Sequence, residues 1–146
     1  MSLVARLLIL SFSIGLWSCA SSSVVIREEP HSVSEIRKAV TVILGEPRSM
    51  SQNGRELLSH YHDRKRLMLE ATEKVTERLF TKVVILGDRR PYDIAVDVHV
   101  ETLEDGEFVD SDKDESLAQR TAREIKDQLF QSRISDPNLI DDFRAF

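Results

Sequence analysis

The feature that most constrains this sequence is an apolar run close to its N-terminus. Residues 7–16 read LLILSFSIGL, and Arg6 is the only charged side chain among residues 1–18. Ten residues are too few for a helix that stays in a bilayer, but they match the core of a secretory signal peptide. We therefore predict a cleaved signal peptide over residues 1–18, which removes 18 of the 146 residues and leaves a mature chain of 128.

The only cysteine of the chain, Cys19, follows this run and precedes Ala20 and three serines. A lone cysteine excludes an internal disulfide and a zinc site built from cysteines. The stretch Leu16-Trp17-Ser18-Cys19 resembles the lipobox of bacterial lipoproteins, with an aliphatic residue three positions before the cysteine and a small residue directly before it. Trp17 departs from the small residue usual at its position. A plain secretory signal, or a buried helix, with an incidental cysteine is the alternative.

The lipobox resemblance covers about the first 20 residues, and it implies that Cys19 becomes the first mature residue. Cys19 would carry a diacylglycerol and an N-acyl chain, which together anchor a protein stably. Ala20, in place of aspartate, implies sorting to the outer membrane, with the domain facing the periplasm. The formal charge changes from −5 to −6 when Arg6 is removed, and an acidic chain argues against nucleic-acid binding. We predict no further cofactor.

The first half of the mature chain is predicted to hold a tether, a strand and a helix. We expect the lipidated cysteine and a tether over residues 19–36, in which Val24-Val25-Ile26 could form an edge strand. The β-branched run over residues 39–44 predicts a buried central strand, and residues 46–56 a long loop. Apolar residues at helical spacing predict a helix over residues 56–80.

The second half carries stronger local signals. Residues 82–86 predict a strand, and residues 92–101 alternate with Ile94, Val96, Val98 and Val100 on the core side. Asp105-Gly106 predicts a hairpin turn. A helix is predicted over residues 114–132, with a capping box from Asp112 to Glu115 and an apolar face. The members of that face are Leu117, Ala118, Thr121, Ala122, Ile125 and Leu129.

These elements predict an α+β fold for a domain over residues 37–133, followed by a C-terminal tail at 134–146. We expect a small mixed sheet of three to five strands, built as a βαβ unit and then a hairpin, with two helices mainly on one face. Residues 42–46 and 84–88 share a pattern that is either a weak internal repeat or a coincidence of strand composition.

The predicted order of elements resembles small periplasmic lipoprotein modules of envelope assembly. Examples are accessory domains like those of curli-secretion lipoproteins, penicillin-binding-protein activators and the amino-terminal domain of the periplasmic Tol protein. The resemblance covers about 60 residues, from Val40 to Val96, and includes an aspartate near the start of the last strand, Asp93. It implies at most a binding or scaffolding role, and it transfers no catalytic residue.

Two polar clusters are candidate metal or acid–base sites. His60-Tyr61-His62-Asp63 offers metal ligands, but two histidines two residues apart could share an ion only in extended backbone. Asp93, Asp97, His99 and Glu101 line one strand face at even spacing. The simpler interpretations are a polar helix start for the first cluster and a solvated strand face for the second.

A basic spot and the apolar tail are the candidate contact surfaces. Arg64, Arg66, Arg89 and Arg90 could meet at one edge of the sheet and contact a partner or an anionic ligand, or they could be ordinary solvated charges. Phe143 and Phe146 could dock on the domain or on a partner.

The sequence therefore predicts a membrane-anchored, non-enzymatic lipoprotein that binds an envelope protein and assists envelope assembly or maintenance. A ligand- or metal-binding envelope lipoprotein is the first alternative, and an unrecognised hydrolase is the second.

Overall fold

The alternating apolar segment forms the central strand of the fold. The computed structural model describes residues 23–70 and 74–134. Within them, β5 (Tyr92–Glu104) is the longest strand, and it pairs antiparallel with β4 (Glu77–Leu86). The predicted alternation is confirmed, because all four core-facing side chains are buried: Ile94, Val96, Val98 and Val100.

A two-residue turn joins β5 to β6 (Glu107–Lys113), as the Asp-Gly pair predicts. Asp105 has a φ of 49° and Gly106 a φ of 91°. Two consecutive positive φ angles are typical of a type I′ turn, whose twist matches that of the two strands it connects. Local sequence chemistry is therefore sufficient to place this hairpin.

The strand β1 (Val24–Glu29) lies at an edge of the sheet and pairs antiparallel with β5. Because β4 occupies the other side of β5, β1 and β6 lie end to end along the same side. Val24 stands opposite Val96, and Lys113 stands opposite His99. The predicted edge strand is thus present, and it lies inside residues 19–36, the segment that the sequence assigns to a tether.

Residues 39–44 do not form the predicted central strand but the second half of helix α1 (Val33–Leu44). The Ser32 hydroxyl accepts the Glu35 N–H, and the Glu35 carboxylate accepts the Ser32 N–H at 2.6 Å, which is a capping box. A β-branched run is compatible with both a buried strand and a buried helix face, and the capping box at Ser32 and Glu35 favours the helix. Helix α1 begins at Val33, four residues before the predicted domain start at residue 37.

The described part of residues 56–80 forms no helix, contrary to the prediction. β3 (Glu56–Leu58) pairs antiparallel with β4 and with β2 (Ser49–Met50), which lies inside the predicted long loop. Leu57 and Leu79 are buried, as predicted for the helix face, but they are buried as members of neighbouring strands. The apolar residues that are spaced as on a helix therefore belong to two strands and to the segment between these strands.

All strand pairings are antiparallel, in the order β1-β5-β4-β3-β2 with β6 beside β5. Six strands and two helices in the described residues confirm the α+β class, with more strands than the three to five predicted. The predicted parallel βαβ unit is wrong, since α1 occupies the place of its first strand. For the same reason, the echo between residues 42–46 and 84–88 joins a helix end to a strand end. The order of elements behind the resemblance to envelope-assembly modules is therefore not the order that forms.

The helix α2 (Glu115–Ile134) confirms the predicted C-terminal helix and its apolar face. The buried residues are the six predicted ones: Leu117, Ala118, Thr121, Ala122, Ile125 and Leu129. The cap is different from the predicted one, because Asp114, and not Asp112, accepts the Leu117 N–H at 2.9 Å through its side chain. The capping aspartate therefore lies two residues later in the sequence than predicted.

Both helices pack on one face of the sheet, as predicted. The larger core cluster joins α1 and α2 to one end of β4 and β5, and a smaller cluster joins the start of α2 to the other end. Neither described helix covers the opposite face, here called the uncovered face, which carries charged and aromatic side chains, including Arg78, Phe80 and His99. Both helices contribute to the larger core cluster, whereas only α2 contributes to the smaller one. A cavity lies at the C-terminal end of α1.

Candidate functional site: a cavity at the end of the first helix

An open cavity of about 400 Å³ lies between the end of α1 and the segment that follows β3. Ile43, Leu44 and Met68 supply apolar side chains, and Arg66 is one of its polar residues. The remaining lining residues are Gly45, Glu46, Ser59, His60, Tyr61 and His62. Ligand sites in proteins are mostly apolar concavities of this order of volume with a few polar groups. The cavity is therefore the candidate binding site of the described residues.

A tight turn shapes one wall of this cavity. The backbone of His62 pairs with Leu79 of β4 and with Met68, so the chain folds back on itself between residues 62 and 68. The Asp63 carboxylate accepts the backbone N–H groups of Lys65 at 2.8 Å and Leu67 at 2.9 Å. An aspartate that satisfies the backbone in this way favours a turn over a helix. The predicted polar helix start is therefore a turn.

Buried polar groups at the base of the cavity are hydrogen-bonded to one another. His62 is 7% exposed, and its Nδ1 lies 2.8 Å from the Asp63 carbonyl while its Nε2 lies 3.4 Å from the Thr81 hydroxyl. The Ser59 hydroxyl donates to the His60 carbonyl and accepts the Thr81 N–H, both at 2.8 Å. Burial lowers the pKa of His62, so the imidazole is neutral at neutral pH.

Two of the predicted basic residues fasten the same turn to the rest of the domain. Arg66 donates to the Glu124 carboxylate at 2.5 Å and to the Thr121 hydroxyl at 2.7 Å, both on α2. Arg64 forms a two-pronged pair with Glu77 at 2.8 and 3.0 Å. Hydrogen bonds from Arg64 lower the pKa of Glu77. Arg64 and Arg66 are thus partnered within the domain.

The structure does not bring the other two arginines to this place. Arg89 and Arg90 are exposed in the connection after the last residue of β4, whereas Arg64 pairs with Glu77, the first residue of the same strand. A ten-residue strand separates its ends by roughly 30 Å at about 3.3 Å per residue. The predicted meeting of these arginines in one basic spot is therefore wrong.

The predicted row of acidic residues and His99 lies on the uncovered sheet face, but each member has its own partner. Asp97 accepts from Lys113 at 2.9 Å and from Ser23 at 2.8 Å. His99 pairs with Asp110, Glu101 pairs with Arg78, and Asp93 accepts the Glu28 N–H. Among residues 23–70 and 74–134, no group of three or more potential ligands is placed to hold a metal ion.

Sequence reasoning missed a column of stacked guanidinium and aromatic groups on the uncovered face. The Arg48 guanidinium lies 4.1 Å from the centre of the Tyr61 ring, and Arg78 lies 3.8 Å from it. Arg78 also lies 3.8 Å from the centre of the Phe108 ring. Cation–π contacts of this kind hold Tyr61 in place. The only signal in the sequence was the alternation of basic and aromatic residues in β4, at Arg78, Phe80 and Lys82. No local pattern indicated that Arg48 would join them.

Three predicted residues, Cys19, Phe143 and Phe146, lie outside the described residues. Neither described helix is both long enough and apolar enough to cross a membrane. Comparison with family models, curated proteins and solved structures finds no match to this chain.

Proposed function

We propose that this protein is a lipoprotein anchored to the outer membrane through Cys19, with a periplasmic domain that binds and assists other envelope components. The observation that carries the proposal is the position of the only cysteine, at the end of an apolar run and directly before Ala20 and three serines. A lipid-modified cysteine needs this order of segments, whereas a cysteine in a folded core does not.

The start of the fold supports this proposal. The first strand begins at Val24, so only a few residues separate it from Cys19. Four residues span at most roughly 14 Å even when fully extended. An acylated Cys19 would therefore keep the domain close to the membrane surface, where a short strand edge and the cavity are available to other molecules.

The anchor is tested by Cys19→Ala in the full-length chain. We expect the variant to leave the membrane fraction and to lose labelling by radioactive palmitate, because no other side chain can take the thioether-linked lipid. Ser21→Ala, in the same segment, is the matched control and should stay in the membrane fraction with its label. A Cys19→Ala protein that still sediments with membranes and still carries palmitate would overturn the proposal.

The outer-membrane location is tested by Ala20→Asp. The lipobox resemblance implies that aspartate after the lipidated cysteine retains a lipoprotein in the inner membrane, so this variant should shift there in a density gradient. An unchanged distribution would contradict the predicted sorting while leaving lipidation itself intact.

The binding role can be tested at the tail. Chemical cross-linking in intact cells, with and without residues 134–146, would show whether a specific adduct depends on the tail. Replacing Phe143 and Phe146 by alanine should reduce that adduct if these rings contact the partner. If the full chain, the truncated chain and the alanine variant form equal amounts of adduct, the tail does not contact the partner.

A second candidate function is the binding of a small ligand by the envelope lipoprotein. The cavity at the end of α1 favours it, since its volume and its mixture of apolar walls with few polar groups are those of a ligand site.

A further inference from the structure

We infer that the cavity at the end of α1 binds one hydrocarbon chain, namely the acyl chain of a lipid. The inference deepens the ligand-binding form of the proposed function, and it uses the proposed anchor only as the reason that acyl chains are nearby. Three observations carry it: the character of the walls, the internal pairing of the polar groups, and the size of the space.

The walls expose apolar surface that a folded domain would otherwise bury. Met68 is 67% exposed, and Ile43 and Leu44 are only partly buried. Gly45 also lines the cavity, and a Cβ atom placed on it would meet no atom within 4 Å, so this side of the lining is open. Contiguous apolar surface inside a concavity is stabilised when a hydrocarbon group replaces the water on it.

The buried polar lining residues leave no unpaired group that would demand a polar ligand. Ser59 and His62 are hydrogen-bonded within the protein, and Arg66 is held by Glu124 and Thr121. Burial keeps His62 uncharged, and no buried side-chain polar atom of the described residues is left without a partner. A polar or charged group inserted here would lose its hydration without gaining a partner, so the inserted part of the ligand is apolar.

The volume selects a single chain. About 400 Å³ is near the lower end of the range for small-molecule sites, too little for a lipid with several chains. The exposed residues Glu46 and His60 stand at the lining and can accompany a polar head group that remains in water. The ligand is therefore an amphiphile with one chain inside and its head outside.

The test uses the mature chain with Cys19→Ser, which has no acyl group of its own. Octyl glucoside is titrated below its critical micelle concentration, with glucose as the probe that has the same head and no chain. We expect saturable shifts of the methyl resonances of Ile43, Leu44 and Met68 with octyl glucoside, and none with glucose. The absence of saturable shifts, or equal shifts with glucose, would overturn the inference.

Two neighbouring residues provide matched variants. Met68 lines the cavity and is 67% exposed, whereas Leu67 is 64% exposed and does not line it. Met68→Lys should weaken binding of octyl glucoside by about tenfold or more, because it places a charge against the apolar chain. Leu67→Lys should bind like the parent, and both variants should keep the parent's circular dichroism. Equal weakening by both variants would indicate unspecific adsorption and contradict the inference.

The outcome is separable from that of the anchor experiment. Octyl glucoside binding is measured on a chain without lipid, so its failure leaves membrane anchoring by Cys19 untouched. Conversely, a Cys19→Ala protein that stays on the membrane would refute the anchor without changing what the cavity binds in solution. Shifts confined to Phe130 and Ile134, the exposed apolar residues at the end of α2, would assign the chain to another surface and overturn the inference.

Discussion

Asp97 joins two separate parts of the chain at the point where β6 ends and β1 begins. Its carboxylate accepts from Lys113 and from Ser23, which directly precedes β1. Burial alone would raise the pKa of Asp97, but the hydrogen bonds from Lys113 and Ser23 outweigh it and lower the pKa below its ordinary 3.8. A group with a lowered pKa in the folded state stabilises the fold above its ordinary pKa.

We predict that Asp97→Ala lowers the free energy of unfolding by about 1.5–3 kcal/mol at pH 7, the usual range for hydrogen bonds to a charged group. The difference from the parent should narrow as the pH falls below about 4, since the parent then protonates Asp97 and loses the same interactions. Urea unfolding at pH 7 and pH 3 measures both effects. Glu104→Gln, exposed at the end of the same strand, is the control and should change little.

His62 supplies a second pH dependence with its own range. Because burial lowers its pKa from an ordinary 6.5, the unfolded chain binds a proton more readily than the folded one just below that pH. The contribution of His62 to stability is complete above about pH 6.5 and is lost as the pH falls toward the lowered pKa, at most about 1.4 kcal/mol per pH unit.

We therefore expect His62→Gln to flatten the dependence of the urea midpoint on pH between pH 7.5 and 5, whatever its effect at pH 7.5. The exposed neighbour His60 gives the control, since His60→Gln should retain the slope of the parent. If His62→Gln keeps the pH dependence of the urea midpoint seen in the parent, a group other than His62 causes that dependence.

At the scale of elements, α1 gives the sharpest test of the corrected secondary structure. Val40 is 2% exposed and Val42 is 58% exposed. In a strand these two residues would share one face, whereas in a helix they point about 200° apart. We predict that Val40→Glu destabilises the domain by about 3 kcal/mol or more, because it buries an unpaired charge. Val42→Glu should stay within about 0.5 kcal/mol of the parent in urea unfolding. Equal costs would support a strand.

The elements that the sequence predicts well are those whose signals are local. The type I′ turn at Asp105-Gly106, the alternation of β5 and the apolar face of α2 each depend on a few neighbouring residues. The β-branched residues of α1 were ambiguous, because their partners are far away in sequence and the deciding cap at Ser32 lay inside a segment assigned to the tether. The parallel βαβ unit was predicted only because residues 39–44 were assigned to a strand; assigned to a helix, they leave that unit without its first strand.

The candidate site was harder to predict for the same reason. Arg66 was a predicted contact residue, but its role in fastening a turn to α2 depends on Glu124, which is 58 residues away in sequence. Ser59 and His62 meet Thr81 only because β4 pairs with the segment before it. A cavity is a product of packing between elements, and no single stretch of this sequence encodes it.

At the scale of the whole molecule, the two core clusters are connected by elements that run through both. β5 contributes Ile94 and Val96 to the larger cluster and Val98 and Val100 to the smaller one. β4 and α2 also contribute to both, and Val24 packs against each. Loss of either cluster would strip side chains from strands and a helix that the other cluster needs, so we expect the domain to unfold as one unit.

The two tyrosines of the chain make this cooperativity measurable. Tyr92 packs against the larger cluster, and Tyr61 lies beside the other end of β4 against Phe80. The only tryptophan, Trp17, lies in the predicted signal peptide. In the mature chain with Cys19→Ser, Tyr61→Phe leaves a single tyrosine that reports on the larger cluster, and Tyr92→Phe leaves one that reports on the opposite end.

Within each of these two variants, we predict that the urea transition seen by tyrosine fluorescence coincides with that seen by circular dichroism. Each fluorescence signal comes from one end of the sheet, whereas circular dichroism averages over the whole fold, so coincidence in both variants requires that the ends unfold together. Comparison within a variant also removes the effect of the substitution on stability. A fluorescence midpoint displaced from the dichroism midpoint in either variant would show that the corresponding end opens separately, and that β4, β5 and α2 do not couple the two clusters.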